Sequence, residues 1–129
     1  MQHTILVIDD QWSMQEMVRL VLQQAGYRVI LADDGITGLT LAHTEHPDAI
    51  ILDLRMPEMD GVEVLRSLNL ERRTAGIPVI LISAGHFGER LHEGLCAGAA
   101  TFLQKPFPSC DLIQRVEGVL QTKEMPIAV

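Results

Sequence analysis

The chain has 129 residues, of which 47% are hydrophobic and 21% are charged, as is usual for one soluble globular domain with its own core. The net charge of -7 argues against direct binding of nucleic acid or of an anionic membrane by this domain. No stretch has transmembrane length or the pattern of a secretory leader, and Cys96 and Cys110 lack CxxC spacing, so we expect reduced thiols and a cytoplasmic location.

The first predicted strand, residues 4–8, is an uninterrupted apolar run. Such a run is typical of a strand buried on both faces of a parallel sheet, and this one ends in two carboxylates, Asp9 and Asp10. Ser13 and Glu16 match a capping box at the start of the helix that follows. The apolar stripe of this helix comprises Met14, Met17, Val18, Val21, Leu22 and Ala25.

A second strand is predicted at residues 28–32. Asp34 and Gly35 then open a second helix, which ends before Pro47. The spacing of its apolar residues predicts that one side is buried, formed by Ile36, Leu39 and Ala42.

The central strand is the apolar run of residues 49–52, which leads directly into Asp53. A charge is costly inside a buried strand, so we expect Asp53 to lie where the strand leaves the sheet. The loop after it contains Pro57 and Asp60-Gly61, which are turn signals. Asp60 is predicted to cap a third helix that buries Val62, Leu65 and Leu68.

Two further strands also end in polar residues. Residues 78–83 are apolar up to Ser83, and residues 101–104 are followed by Lys105 and Pro106. A last helix capped by Ser109 buries Leu112, Ile113, Val116, Val119 and Leu120. We expect a single domain over residues 1–122 and a tail over residues 123–129.

The fourth helix, predicted at residues 87–97, has the weakest pattern of the five. Leu91 and Leu95 are spaced for burial, but Gly88 and Gly94 each cost about 1 kcal/mol relative to Ala. The interpretation is either a helix of low stability that can shift between two states or an ordinary surface helix.

Five strands that alternate with five helices predict an α/β fold with a parallel sheet and helices on both faces. In such sheets the functional crevice lies at the carboxyl ends of the strands. The residues that follow or end four of the strands are Asp9, Asp10, Asp53, Ser83 and Lys105. Their convergence on one edge predicts a site there.

The charges of this predicted site favour a cation. Two carboxylates about 4 Å apart repel each other by roughly 4 kcal/mol at an intermediate dielectric constant, and one lysine does not offset three carboxylates. Mg²⁺ suits carboxylate ligands, whereas the scattered histidines disfavour Zn²⁺. Beside Mg²⁺ and Lys105, Asp53 can act as a nucleophile toward phosphorus, and Ser83 can bond a phosphoryl oxygen.

Several motifs in order resemble the receiver domain of two-component response regulators over about residues 3–121. They are Ile8-Asp9-Asp10, the segment from Leu52 to Gly61, Ile82-Ser83-Ala84, the stretch around Gly94 and Ala97-Gly98-Ala99, and Phe102-Leu103-Gln104-Lys105-Pro106-Phe107. The resemblance implies a flavodoxin-like, doubly wound sheet of five parallel strands in the order 2-1-3-4-5. It also implies that Asp53 accepts a phosphoryl group from a phosphohistidine.

The resemblance further implies which residues bind the metal. Asp10 matches the direct Mg²⁺ ligand, and Asp9 matches the partner that acts largely through water. Asp53 and the backbone carbonyl of Arg55 complete the implied ligand set.

The remaining implied roles concern the phosphoryl group and the switch. Lys105 matches the lysine that pairs with the phosphoryl group, and the bond to Pro106 is a candidate cis peptide. Ser83 matches the switch hydroxyl, and Phe102 matches the aromatic residue that moves inward on activation. Trp12, the sole tryptophan, is expected to pack locally and to report Mg²⁺ by its fluorescence.

The implied partners are a sensor histidine kinase or phosphotransfer protein and a downstream protein effector. Pairing of two copies through the fourth helix, fifth strand and fifth helix is also implied. The chain would then be a signalling switch, not an enzyme, that catalyses its own phosphorylation and dephosphorylation. A receiver fold that docks partners without phosphorylation remains the alternative.

Two other functions are disfavoured by particular residues. In an FMN-binding electron carrier, Asp9 and Asp10 would repel the FMN phosphate after the first strand. A phosphatase of the haloacid dehalogenase type would have a second aspartate at the position of Arg55.

Overall fold

The computed structural model describes residues 2–56, 59–84 and 89–124. The strands are β1 (Thr4–Ile8), β2 (Arg28–Ala32), β3 (Ala49–Asp53), β4 (Val79–Ala84) and β5 (Thr101–Lys105). The helices are α1 (Trp12–Gln24), α2 (Gly35–Glu45), α3 (Gly61–Leu70), α4 (Arg72–Ala75), α5 (Glu89–Cys96) and α6 (Ser109–Glu124). The predicted fourth and fifth helices therefore correspond to α5 and α6.

The five strands form one parallel sheet in the order β2-β1-β3-β4-β5. This topology confirms the predicted fold class. The register aligns Ile8 of β1 with Leu52 of β3, and Asp53 with Ile82 of β4. The carboxyl ends of the three central strands therefore lie side by side.

Helices cover both faces of the sheet. Successive apolar side chains of each strand point to opposite faces, so each face needs a layer of helices to bury them. In β1, Leu6 and Ile8 join the core under α2, α3 and α5, whereas Ile5 and Val7 join the core under α1 and α6. All four of these side chains are fully buried. A strand buried on both faces gains from apolar residues at every position, which explains the uninterrupted runs in the sequence.

The capping predictions had mixed outcomes. Asp34 and Asp60 accept hydrogen bonds from Thr37 N and Glu63 N at 2.7 and 3.1 Å, which confirms the predicted cap at Asp60 and the predicted start of α2 at Asp34. The capping box predicted at the start of α1 was wrong, because the cap residue is Gln11 and no side chain bonds the helix end there. Glu16 instead forms an ion pair with Arg19 one turn later.

The predicted buried side of α2 was partly wrong. Ile36 is 66% exposed, and the buried positions are Gly35, Gly38 and Ala42. A Cβ at position 38 would lie 2.5 Å from Ile8 Cδ1. The helix approaches β1 through Gly38, so its register follows small residues instead of the largest apolar ones.

Gly94 has a packing role in α5. It is buried, and a Cβ there would lie 2.5 Å from Leu81 Cδ1. Close approach to β4 therefore accounts for this glycine without low helix stability. Leu91 is buried as predicted, but the predicted burial of Leu95 was wrong because Leu95 is 38% exposed. Gly88 lies outside the described residues.

The ends of several elements differ from the predictions. The one-turn helix α4 was not predicted; within it, the Thr74 hydroxyl donates to Leu68 O at 2.6 Å. Helix α6 begins at Ser109 and extends to Glu124, so it includes the first two residues of the predicted tail. Residues 125–129 lie outside the described part of the chain. Across the described residues, no helix is long and apolar enough to cross a membrane.

Candidate functional site

Three carboxylates meet at the carboxyl edge of the sheet. Asp9 and Asp10 follow β1, and Asp53 ends the neighbouring strand β3. One carboxylate oxygen from each lies within 4.8 Å of the other two, and these three residues are the acidic cluster. The side chain of Asp9 is fully buried, Asp53 is 4% exposed, and Asp10 is exposed. The predicted convergence of these residues is therefore confirmed.

Lys105 reaches the acidic cluster from β5, two strands away from β3. Its Nζ lies 3.4 Å from Asp9 Oδ2 and 3.5 Å from Asp53 Oδ2. Adjacent strands are about 4.8 Å apart, so only a long side chain can cross β4 to reach both carboxylates. The peptide bond between Lys105 and Pro106 is cis.

Burial raises the pKa of Asp53 to about 6, which is above the ordinary value near 3.8. The hydrogen bond from Arg55 N to Asp53 Oδ1, at 3.1 Å, opposes this rise, and the charge of Asp9 adds to it. The Lys105 ammonium lowers the same pKa but does not cancel the effect of burial. In the metal-free protein, burial therefore disfavours the ionised form of the Asp53 carboxyl.

Main-chain groups hold the two buried carboxylates. Gln11 N donates to Asp9 Oδ1 at 2.9 Å, as Arg55 N does to Asp53. Gly61 N donates to Leu54 O at 3.0 Å, which draws the start of α3 against the end of β3. These bonds leave each carboxylate one oxygen that faces Lys105.

Ser83 and Phe102 lie on the two strands beyond Asp53. Ser83 is 5% exposed and follows Ile82, the register partner of Asp53. Phe102 aligns with Leu81, and its side chain is half-buried against the core under α2, α3 and α5. It precedes Lys105 by three residues, or about 10 Å of strand, so it does not belong to the acidic cluster.

The donor set fits a hard divalent cation. Three carboxylates within 4.8 Å of one another supply only oxygen ligands, and the pKa of Asp53 is raised partly by the charge of Asp9. Mg²⁺ prefers oxygen ligands and commonly takes few of them from the protein. The acidic cluster therefore fits Mg²⁺.

Three residues near the site were not identified correctly from the sequence. Gln15 is buried and bonds the end of β1, but one glutamine beside an apolar stripe gives no signal of such a role. Gly61 packs against the Asp53 main chain, although Asp60-Gly61 indicated only a turn. Trp12 is 74% exposed, so the expectation of local packing was wrong.

Comparison with known proteins identifies relatives over nearly the whole chain. The family model for the response regulator receiver domain matches residues 5–117. The DNA-binding dual master transcriptional regulator RpaA of Synechocystis is 40% identical over an alignment of 126 residues that covers 96% of this chain and 52% of RpaA. The response regulator MprA of Mycobacterium sp. (strain KMS) is 39% identical over 91% of this chain and 50% of MprA. The chain thus spans about half the length of these curated relatives.

Solved structures agree with the fold. The chemotaxis protein CheY4 of Vibrio cholerae superposes with a TM-score of 0.88 and 32% identity, covering 93% of this chain and all of that one. A response regulator structure from Chloroflexus aurantiacus gives a TM-score of 0.89 and 33% identity over 94% of this chain and 99% of the other. This chain therefore belongs to the receiver domains of two-component response regulators, a family whose standard function is a phosphorylation-based switch.

Proposed function

We propose that transfer of a phosphoryl group to Asp53 switches a protein-interaction surface of this chain, and that the transfer requires Mg²⁺. The geometry of Asp53 carries the proposal. Its carboxylate ends the central strand, is 4% exposed, lies 3.5 Å from Lys105 Nζ and shares the acidic cluster with Asp9 and Asp10. A desolvated carboxylate beside a cation is suited to nucleophilic attack on phosphorus.

The side chains of Asp9, Asp10 and Asp53, with the backbone carbonyl of Arg55, would hold the metal. When bound, Mg²⁺ would offset the negative charge on the phosphoryl oxygens. The raised pKa of Asp53 supports this assignment, because a cation would relieve the charge that burial and Asp9 make unfavourable.

The residues of the chain would perform the transfer as follows. Arg55 N–H orients Asp53 through Oδ1, and Oδ2 faces Lys105. A carboxylate oxygen of Asp53 attacks the phosphorus of a phosphohistidine on a sensor kinase or phosphotransfer protein. The new O–P bond forms as the P–N bond breaks, and the imidazole leaves. Lys105 Nζ offsets charge on the transferred group.

Ser83 and Phe102 would communicate the covalent state of Asp53. A phosphoryl oxygen supplies a new acceptor for the Ser83 hydroxyl near the end of β4, next to β5. Phe102 would then move further into the core against which it already packs. The surface formed by α5, β5 and α6 would change with it, and we propose this surface for effector binding and for pairing of two copies.

Hydrolysis of the aspartyl phosphate by the chain itself would reset the switch. The relatives' names describe transcriptional regulators. We extend such an output to this chain only through a protein effector, because the net charge of -7 disfavours direct DNA contact by this domain. A cytoplasmic location is part of the same proposal.

The deciding experiment is incubation with Mg²⁺ and acetyl phosphate. We expect one acid-stable, base-labile phosphoryl group per chain, none in Asp53→Asn, and an unchanged amount in Asp111→Asn, which alters an acidic residue of α6 outside the acidic cluster. Equal labelling of Asp53→Asn would disprove the acceptor. No labelling of the unmodified chain, together with retained partner binding, would instead favour the docking function without phosphorylation.

A further inference from the structure

One buried polar side chain near the site is unexplained by the proposed switch. Among the described residues, the buried polar or charged side chains are Asp9, Gln15, Asp53, Thr74 and Ser83. The Thr74 hydroxyl donates to Leu68 O in the α3–α4 turn. Asp9, Asp53 and Ser83 have proposed roles at the site. Gln15 lies in α1 and is only 4% exposed.

The amide of Gln15 joins the ends of β1 and β2. Its Nε2 donates to Asp9 O at 2.5 Å, to Ala32 O at 3.1 Å and to Asp33 Oδ1 at 2.7 Å. Ala32 O also accepts the Asp9 N–H at 3.1 Å. Two amide hydrogens thus serve three oxygens, and Gln15 closes the β1–β2 ladder immediately beyond the last paired residues, Ile8 and Ala32.

Asp9 O belongs to the peptide group that links Asp9 to Asp10. Strand β1 ends at Ile8, so this carbonyl lies beyond the regular ladder that would otherwise satisfy it. Rotation of the peptide would move Asp10 relative to Asp9 and would change the spacing of the acidic cluster. The bond from Gln15 opposes that rotation.

Gln15 also donates a hydrogen bond to a fourth carboxylate, that of Asp33. Asp33 follows β2 on the same edge of the sheet and is exposed, and Gln15 is its neutral partner. A neutral donor between Asp33 and Asp9 satisfies oxygens on both sides without adding charge. An apolar side chain of the same length would leave the Asp9 carbonyl without this donor.

We infer that Gln15 is a positioning residue for the acidic cluster: its amide fixes the Asp9–Asp10 peptide and thereby sets the affinity of the site for Mg²⁺. The inference rests on the Mg²⁺ site proposed above. Outer partners that orient metal ligands commonly change metal affinity by about 10- to 100-fold when they are removed. Gln15 acts through Asp9 and Asp10 and is not itself a ligand.

The test compares Gln15→Met with Thr74→Val in the whole chain. Both substitutions remove a buried donor and keep a similar shape, but Thr74 bonds Leu68 O in the α3–α4 turn. Mg²⁺ affinity is measured from Trp12 fluorescence, well below each variant's melting temperature. We expect an affinity about 10-fold weaker for Gln15→Met and a change of less than twofold for Thr74→Val.

The phosphorylation rate provides a second readout. With acetyl phosphate, Gln15→Met should need about 10-fold more Mg²⁺ for its half-maximal rate and should reach the maximal rate of the unmodified chain. An unchanged Mg²⁺ affinity, or an equal loss in Thr74→Val, would overturn the inference. Failure of the unmodified chain to bind Mg²⁺ would instead overturn the proposed metal site on which the inference depends.

NMR spectroscopy of the unmodified chain decides the question if Gln15→Met does not fold. The side-chain amide signals of Gln15 should shift on Mg²⁺ addition with the same midpoint as the Trp12 indole signal. The side-chain amide of Gln24, exposed at the other end of α1, should not shift. Gln15 signals that remain unshifted while the indole signal moves would contradict the role of Gln15.

Discussion

Gly61 lies directly against the main chain of Asp53. A Cβ at position 61 would be 2.6 Å from Asp53 O and 2.8 Å from Leu54 Cα. Both neighbours are backbone atoms, so they cannot move away as the end of a side chain can. The start of α3 and the carboxyl end of β3 therefore depend on the absence of a side chain at this position.

We expect Gly61→Ala to lower the free energy of unfolding by about 2 kcal/mol, in the range typical of overpacked sites. Because the displaced atoms include the Asp53 carbonyl, the rate of phosphorylation by acetyl phosphate should fall as well. Urea unfolding followed by circular dichroism measures the first effect, and labelling kinetics measure the second.

Gly118→Ala is the matched control for this substitution. Gly118 lies within α6, and a Cβ there would meet no atom within 4 Å. Alanine favours the helix by up to about 1 kcal/mol relative to glycine, so this variant should be slightly more stable. Destabilisation of both variants by the same amount would contradict the steric explanation for Gly61.

The pKa of Asp53 predicts a pH-dependent contribution to stability in the metal-free protein. The folded-state pKa is raised to about 6, so the folded chain binds this proton more tightly than the unfolded chain. The stabilisation that comes from protonated Asp53 is fully present below pH 4 and is lost as the pH rises through 6. The loss is about 3 kcal/mol for a rise of roughly two pKa units.

Comparison with Asp53→Asn isolates this contribution from those of other carboxylates. The difference in unfolding free energy, wild type minus variant, should decrease between pH 4 and pH 7.5 in the presence of EDTA. A difference that stays constant over this range would show that the Asp53 pKa is not raised.

Addition of Mg²⁺ at pH 7.5 should stabilise the wild type. A ligand at about 100 times its dissociation constant adds about 2.7 kcal/mol to the unfolding free energy, and EDTA should reverse the effect. Asp10→Asn should reduce this gain without disturbing the core, because Asp10 is exposed. Asp111→Asn should retain the full gain in stability. Thermal melts of all three proteins, with and without Mg²⁺, measure the gain.

Lys105→Met should raise the pKa of Asp53 further in the metal-free protein. The ammonium lies 3.5 Å from Asp53 Oδ2 and favours the ionised carboxylate, so its removal makes protonation easier. NMR titration of the Asp53 carboxyl carbon measures the change. Lys123→Met removes the same charge from the last turn of α6. An equal rise of the Asp53 pKa in this variant would indicate a non-specific effect of net charge.

Much of the fold could be predicted because the signals are local. Uninterrupted apolar runs indicate buried parallel strands, and Asp34 and Asp60 cap helices through bonds to residues three positions later. The errors arose where packing overrides the local pattern. Ile36 is exposed because α2 approaches Ile8 through Gly38, and Gly94 reflects close contact with Leu81 instead of a weak helix.

The sequence by itself determined the chemistry available at the carboxyl edge: Asp9, Asp10, Asp53, Ser83 and Lys105 each follow or end a predicted strand. Only the tertiary structure decided their distances, because these depend on strand order and on how far each side chain reaches. Lys105 spans β4 to contact both buried carboxylates, and Gly61 allows α3 to approach β3. The bonds from Gln15 to Asp9 and Ala32 likewise require two strands and a helix to be assembled, and no local pattern encodes that juxtaposition.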